Sequence, residues 1–202
     1  MTKKILILLM TLLIFSCENL EKEYKHQSEL FIESYNSLDF ENIESIYNKK
    51  KIGKTNELLD KLIDLNSDSN EKYFFDLLRF RLLLIEGKYE KALISLESIR
   101  KINPMMFYFY KATTYELVED SENSLKYYNL SLSKCGDSNY CTLIEFLMSN
   151  NFERFINKLE SKNPQAYYFV KKLKDELNKS ENEIRKQFFN NVFTNYIIPN
   201  LS

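Results

Sequence analysis

Apolar residues return every three or four positions along most of the chain, between short polar breaks. Leu30, Phe31, Tyr35 and Leu38 illustrate the pattern, which places apolar side chains on one face of an α-helix. The run Lys49–Lys51 is expected at the solvated C-terminus of a helix, where cations are favoured, or against anionic lipid. The spacing of apolar positions predicts helices over residues 28–38, 40–51, 58–65, 73–86, 89–102, 105–119, 122–132, 140–149, 152–159 and 165–177, and from 181 to just before Pro199.

Glycine and proline are scarce, with three of each in the 202 residues. A β-rich fold needs turn residues at intervals of about 8–12 positions, so the scarcity predicts an all-α fold. Asn103-Pro104 and Asn163-Pro164 each lead into an aromatic-rich helical stretch. Asparagine caps a helix that begins with proline, because the first turn has no use for the missing N–H. The two Asn-Pro starts are 60 residues apart, which is about two units of ~30 residues. This recurrence indicates a helical repeat.

The segment from Gly87 to Pro104, GKYEKALISLESIRKINP, resembles the second half of a tetratricopeptide repeat (TPR). Its matching turn, small and apolar positions are Gly87, Tyr89, Ala92, Leu96, Ile99 and Pro104. The next segment repeats the arrangement less faithfully, with packing positions at Tyr108, Ala112, Tyr115, Ser124, Tyr128 and Ser131. The resemblance implies antiparallel helix-hairpin repeats forming a TPR-like α-solenoid, with its core at about residues 73–178 and a concave binding face.

The N-terminus, MTKKILILLMTLLIFSCENLEK, has the parts of an export signal. Lys3 and Lys4 supply positive charge, residues 5–15 are apolar apart from Thr11, and charge returns at Glu18. The apolar run is short for a ~30 Å hydrocarbon core, so a removable signal fits better than a membrane-spanning helix.

The residues 13–17, LIFSC, resemble the lipobox of bacterial lipoproteins. The resemblance implies a cleaved signal peptide over residues 1–16 and acylation of Cys17. Residues 17–27 are then expected to be a polar tether, and residues 28–202 the helical domain. Glu18 stands where an aspartate would resemble the inner-membrane retention signal, which favours the outer membrane. The alternative is an ordinary secretory signal in which Cys17 has no role.

The helix predicted from Met105 is richer in aromatic residues than one core-facing stripe requires. Four of its residues are candidates for contact with a partner: Met106, Phe107, Phe109 and Tyr110. Aromatic residues and methionine are enriched in the cores of protein interfaces. The alternative is that the four pack inward or against a neighbouring helix.

Cys135 and Cys141 remain once Cys17 is set aside as the lipidation site. An oxidising compartment permits a disulfide between them across a Gly-Asp-Ser-Asn loop; two free thiols are the alternative. We expect no metal site, because no second cysteine pair and no nearby histidine completes a ligand set.

The sequence lacks the residues and motifs that the common enzyme classes require, which disfavours an enzyme. The only histidine, His26, lies in the expected tether, and no phosphate-binding, zinc-protease or nucleophile-elbow motif occurs. A cluster of carboxylates surrounds one turn at Glu116, Glu119, Asp120 and Glu122; solvation is the usual role of such a cluster. The net charge of −1 and the lack of a basic face disfavour nucleic acid as a partner. No cofactor is expected.

Together these features predict a lipid-anchored protein of the bacterial cell envelope that is not an enzyme and that binds a protein or peptide partner, as assembly factors do. One alternative is an immunity protein against a periplasmic toxin, which an acidic groove would favour. An enzyme acting on envelope glycans would need a buried pair of facing carboxylates. A purely structural lipoprotein would lack an exposed apolar patch.

Overall fold

The computed structural model describes residues 2–38, 46–66, 72–99, 102–136, 139–148, 156, 159–176, 179–197 and 201. All regular structure within these ranges is helical, which confirms the all-α fold. The helices are α1 (Thr2–Asn36), α2 (Ile46–Leu65), α3 (Lys72–Ile85), α4 (Tyr89–Ser98), α5 (Pro104–Leu117), α6 (Ser121–Leu132), α7 (Asn139–Met148), α8 (Pro164–Lys171) and α9 (Glu181–Val192). π-helical turns extend α8 over Lys172–Glu176 and α9 over Phe193–Ile197.

The chain divides into two compact units, where the sequence predicts one helical domain over residues 28–202. Unit 1 comprises Met1–Gly87 with Asn200–Ser202, and unit 2 comprises Lys88–Pro199.

In unit 1, α1 packs against α2 and α2 against α3. Phe31 of α1, Leu62 of α2 and Phe75 and Leu78 of α3 are buried together around a small apolar cavity. The carboxyl-terminal end of the chain joins this unit through Asn36, whose side-chain amide donates to the carbonyl of Leu201 (2.7 Å) and accepts from its N–H (2.8 Å).

Helix α1 is continuous through residues 17–27, so the segment expected to be a tether is helical. Its glutamates, lysines and leucine are good helix formers, although their polar pattern does not show a buried face. The side chains of residues 2–18 lie outside the described part of the chain.

Helix α2 begins at Ile46, well before the predicted helix over 58–65. Lys49–Lys51 therefore lies inside α2 rather than at a helix C-terminus. The prediction was wrong because three lysines are compatible with a solvated helix interior. Residues 40–45 of the predicted helix over 40–51, and residues 152–155 of that over 152–159, lie outside the described residues.

In unit 2, α5 and α6 form an antiparallel hairpin. The hydroxyl of Ser131, near the end of α6, donates to the carbonyl of Met105, near the start of α5 (2.8 Å). Farther along, α6 packs against α7, and α7 against α9, where the rings of Phe146 and Phe188 lie 4.2 Å apart between centroids.

Both Asn-Pro helix starts are confirmed. The side chain of Asn103 accepts from the N–H of Met105 (2.9 Å), and that of Asn163 from the N–H of Ala166 (3.1 Å). Gly87 ends α3 with a positive φ of 70°, a conformation that favours glycine because it has no Cβ. Of the positions that the TPR resemblance assigns to packing, those buried are Ala92, Leu96, Ile99, Ala112, Ser124, Tyr128 and Ser131.

Candidate functional site

The four residues predicted to contact a partner divide into two pairs. Phe109 and Tyr110 are 0% and 4% exposed, so the prediction of a contact surface is corrected for these two. Phe109 lies among the rings of Tyr110, Tyr128 and Tyr140, at centroid distances of 6.2–6.5 Å. Met106 and Phe107 are half-buried and retain surface that a partner can reach.

Phe107 belongs to a half-buried group on α5 and α6 that we call the tyrosine–lysine cluster: Phe107, Tyr108, Lys111, Tyr115 and Tyr127. The ring of Tyr127 stacks on that of Tyr115, with centroids 5.4 Å apart and planes at 3°. It also stacks on Tyr108, at 6.3 Å and 20°. Stacked rings add about 0.5–1.5 kcal/mol beyond the area they bury, so the cluster is a rigid aromatic surface.

Lys111 contacts two rings of the cluster, those of Phe107 and Tyr127. Its ammonium nitrogen is 4.5 Å from the ring centroid of Tyr127 and 5.4 Å from that of Phe107, and it forms an ion pair with Glu97 of α4. Burial alone lowers the pKa of Lys111, but hydrogen bonds and charge attraction from Glu97 and Tyr127 outweigh it and raise that pKa. Lys111 therefore stays cationic, and its charge fixes the rings through cation–π contacts.

Sequence reasoning missed most of this cluster. It assigned Tyr108 and Tyr115 to helix packing and did not single out Lys111 or Tyr127. The available signal was the spacing of Phe107 and Lys111 at i and i+4, which places a cation beside an aromatic ring on one helix face.

A second feature of unit 2 is a cleft of about 430 Å³, which we call the Glu116 cleft. The end of α5, the first two turns of α6, the end of α7 and the start of α9 surround it. Its lining residues are Glu116, Glu119, Ser121, Ser124, Leu125, Tyr128, Leu147, Met148, Asn182 and Arg185.

A polar network crosses this cleft. The phenol of Tyr128 donates to Glu116 Oε2 (2.6 Å), and Arg185 pairs with Glu116 Oε1 (2.9 Å). The Nε–H of Arg185 also donates to the carbonyl of Leu147 (2.9 Å). Burial, followed by the nearby charge of Glu116, raises the pKa of Tyr128 well above its ordinary value of 10.0. Of the carboxylates that cluster around this turn in the sequence, Glu116 is largely shielded from water, whereas Glu119 and Glu122 are exposed.

Tyr128→Phe is expected to lower the free energy of unfolding by about 1–2 kcal/mol at pH 7, because Glu116 loses a buried hydrogen-bond donor. Arg185 also pairs with Glu116 and is 37% exposed, so water screens the charges of this network and keeps the loss of stability small. Urea unfolding measures the change, and Tyr168→Phe, at a residue 68% exposed, is the control and stays within about 0.5 kcal/mol of wild type.

The pH dependence gives a second readout of the Tyr128 network. The pKa of Tyr128 is raised by folding, so its contribution to stability is complete below pH 10 and decreases as the pH rises through the folded-state pKa. The advantage of wild type over Tyr128→Phe therefore shrinks above pH 10. An advantage that is equal at pH 7 and at pH 11 would contradict the assigned hydrogen bond.

Cys135 and Cys141 form a disulfide between the end of α6 and the first turn of α7, with their Cα atoms 5.7 Å apart. The loop between them contains Gly136, whose φ is 57°. The bridge thereby restrains the connection between two helices that both line the Glu116 cleft.

Replacing both Cys135 and Cys141 by alanine is expected to lower the free energy of unfolding by about 2 kcal/mol, because closing so short a loop removes little chain entropy. Thermal unfolding of the variant and of wild type measures the difference. In wild type, dithiothreitol produces the same loss, whereas the double variant does not respond to the reductant. A reductant effect on the double variant, or none on wild type, would contradict the bridge.

The predicted lipidation site, Cys17, lies within α1, and its side chain is outside the described part of the structure. Among the described residues, no helix combines the length and apolarity that a membrane-spanning segment requires. Within the same ranges, no group of three or more histidine, cysteine or acidic side chains is arranged to hold a metal ion.

Compared with protein-family models, with curated proteins and with solved structures, the chain matches none.

Proposed function

We propose that the protein is a lipid-anchored, TPR-like component of the bacterial cell envelope that holds a protein or peptide partner at the membrane through the tyrosine–lysine cluster. The observation that carries the proposal is the cluster itself: four half-buried aromatic rings on α5 and α6, two of which, those of Phe107 and Tyr127, contact the ammonium of Lys111. Tyrosine is enriched among the residues that dominate interface energies, because it offers a large rigid ring and a polar tip.

The helical hairpin supports the TPR-like part of the proposal. Helices α5 and α6 are antiparallel, and Ala112 and Ser131, both fully buried, provide the small side chains that let such helices approach closely. Repeated hairpins of this kind present their first helix on a binding face, and α5, the first helix here, carries four of the five cluster residues.

Export and anchoring are supported by two independent features. The lipobox resemblance of residues 13–17 implies acylation of Cys17. The bridge between Cys135 and Cys141 fits a protein that folds in an oxidising compartment, because such bonds are rare where thiols are kept reduced.

The partner is tested by co-purification from membranes of the native host solubilised in a neutral detergent. Wild type, Tyr127→Ala and Tyr168→Ala are compared by quantitative mass spectrometry. Tyr127 lies at the centre of the cluster, whereas Tyr168 is an exposed tyrosine of α8 outside it. We expect Tyr127→Ala to reduce recovery of a specific protein about tenfold or more, as hot-spot residues do, and Tyr168→Ala to leave it unchanged.

Circular dichroism and thermal unfolding show whether Tyr127→Ala retains the helical fold. A folded Tyr127→Ala that recovers the same proteins in the same amounts as wild type would rule out the cluster as the partner-binding surface.

A further inference from the structure

The Glu116 cleft has one wall formed by a single face of α6. Ser121, Ser124, Leu125 and Tyr128 lie on that face, since the last three follow Ser121 by three, four and seven residues. The cleft is adjacent to the tyrosine–lysine cluster, because Tyr115 and Glu116 are consecutive, as are Tyr127 and Tyr128. Consecutive residues of a helix are about 100° apart around its axis, so the cluster and the cleft lie on neighbouring faces of α5 and α6.

The charges of the cleft favour a cation. Arg185 is neutralised by Glu116, which leaves the carboxylate of Glu119 as the uncompensated charge on the rim. Within the described part of the chain, the Glu119 side chain forms no ion pair or hydrogen bond. Its backbone has a positive φ of 61°, which is uncommon for a residue with a Cβ.

A hydroxyl on the cleft wall is a second polar feature, distinct from these charges. Ser124 lines the cleft and is 5% exposed, and among the described residues its hydroxyl forms no hydrogen bond. The hydroxyl oxygen can accept a hydrogen bond from a donor that enters the cleft.

The remaining wall is apolar. Leu125 lines the cleft although it is 50% exposed, and Leu147 and Met148 face the same space. An apolar wall beside a carboxylate and a hydroxyl matches a side chain that has an aliphatic stem and a cationic head, as lysine and arginine do.

We propose that the Glu116 cleft receives a lysine or arginine side chain of the protein partner. The cationic head donates hydrogen bonds to Glu119 and to the Ser124 hydroxyl, and the stem packs against Leu125 and Met148. This inference rests on the proposed function, because it specifies the chemistry of the partner that the cluster binds.

The test measures binding of a fluorescein-labelled tri-lysine peptide to the full chain in a neutral detergent by fluorescence anisotropy. Glu119→Gln removes the rim charge, and Ser124→Ala removes the buried hydroxyl without disturbing the helix. Glu122→Gln is the matched control, because Glu122 is an exposed carboxylate three residues from Glu119 that does not line the cleft. The same peptide with acetylated lysines tests the requirement for positive charge.

We expect Glu119→Gln to raise the dissociation constant about tenfold and Ser124→Ala about threefold, and Glu122→Gln to change it less than about twofold. The acetylated peptide does not bind. Equal weakening by Glu119→Gln and Glu122→Gln, equal binding of the acetylated peptide, or no binding of the tri-lysine peptide overturns the inference.

Failure here is separable from failure of the proposed function. If the cleft variants bind the peptide as wild type does while Tyr127→Ala still loses its partner, the cleft assignment is overturned and the cluster remains the binding surface. If Tyr127→Ala keeps its partner, the proposed function is overturned whatever the peptide does.

Discussion

Replacing Phe109 by alanine is expected to lower the free energy of unfolding by about 3–5 kcal/mol, the usual cost of truncating a buried phenylalanine. The side chain is fully buried, and its ring lies among those of Tyr110, Tyr128 and Tyr140. Truncation would leave a cavity between α5, α6 and α7 that these rings cannot fill without losing their own packing. Since a typical domain is stable by only about 5–15 kcal/mol, the variant is expected to be near the limit of folding.

Phe107→Ala is the matched control, because it makes the same change two residues away in the same helix. Phe107 is half-buried and contacts Tyr108 and Lys111, so we expect a loss of about 1 kcal/mol. Urea unfolding monitored by circular dichroism compares the two variants. Equal losses would contradict the assignment of Phe109 to the core and Phe107 to the surface.

Cys17→Ala is expected to move the protein from the membrane fraction to the soluble fraction of the native host. Acyl chains anchor a protein because each buried methylene contributes about 0.8 kcal/mol, and two or more chains make the attachment stable. Without the thiol there is no lipidation site. Fractionation followed by immunoblotting measures the distribution.

The double replacement of Cys135 and Cys141 by alanine is the matched control and is expected to stay with the membrane, since it leaves Cys17 in place. Intact-mass measurement of membrane-extracted wild type is expected to show the mass of the acyl groups on a chain that begins at Cys17. A wild type without added mass, or a Cys17→Ala variant that remains membrane-bound, would rule out the lipid anchor.

The helical elements could be predicted from sequence where the local signals agreed. From α3 to α9 apolar periodicity, few turn residues and asparagine caps all favour helix, and the Asn103 and Asn163 caps form as predicted. Local signals are reliable here because each cap bonds to an N–H only two or three residues away.

The predictions failed where contacts between helices determine which side chains are buried and how far a helix extends. The pattern of α5 is apolar almost all round, so periodicity could not tell that Phe109 and Tyr110 face the interior while Phe107 does not. The length of α2 was missed because its residues 48–57 are polar apart from Ile52 and Gly53, and such a segment has no apolar periodicity to reveal a helix.

The candidate sites depend on contacts between residues far apart in the sequence. Glu116 was recognised only as one of four clustered carboxylates, because its partner Arg185 comes from α9, several helices later. Tyr127 was not singled out because its role arises from stacking on Tyr108 and Tyr115 of the neighbouring helix. Single-helix patterns contain no information about which faces meet.

The most direct test of a partner-binding surface on α5 and α6 is site-specific photo-cross-linking in intact cells of the native host. A photoreactive phenylalanine analogue replaces Phe107 in one strain and the exposed Tyr168 in another. We predict one discrete protein adduct in the membrane fraction from position 107, lost when Tyr127→Ala is added, and no such adduct from position 168. No adduct from position 107, or the same adducts from both positions, would contradict a partner-binding surface on α5 and α6.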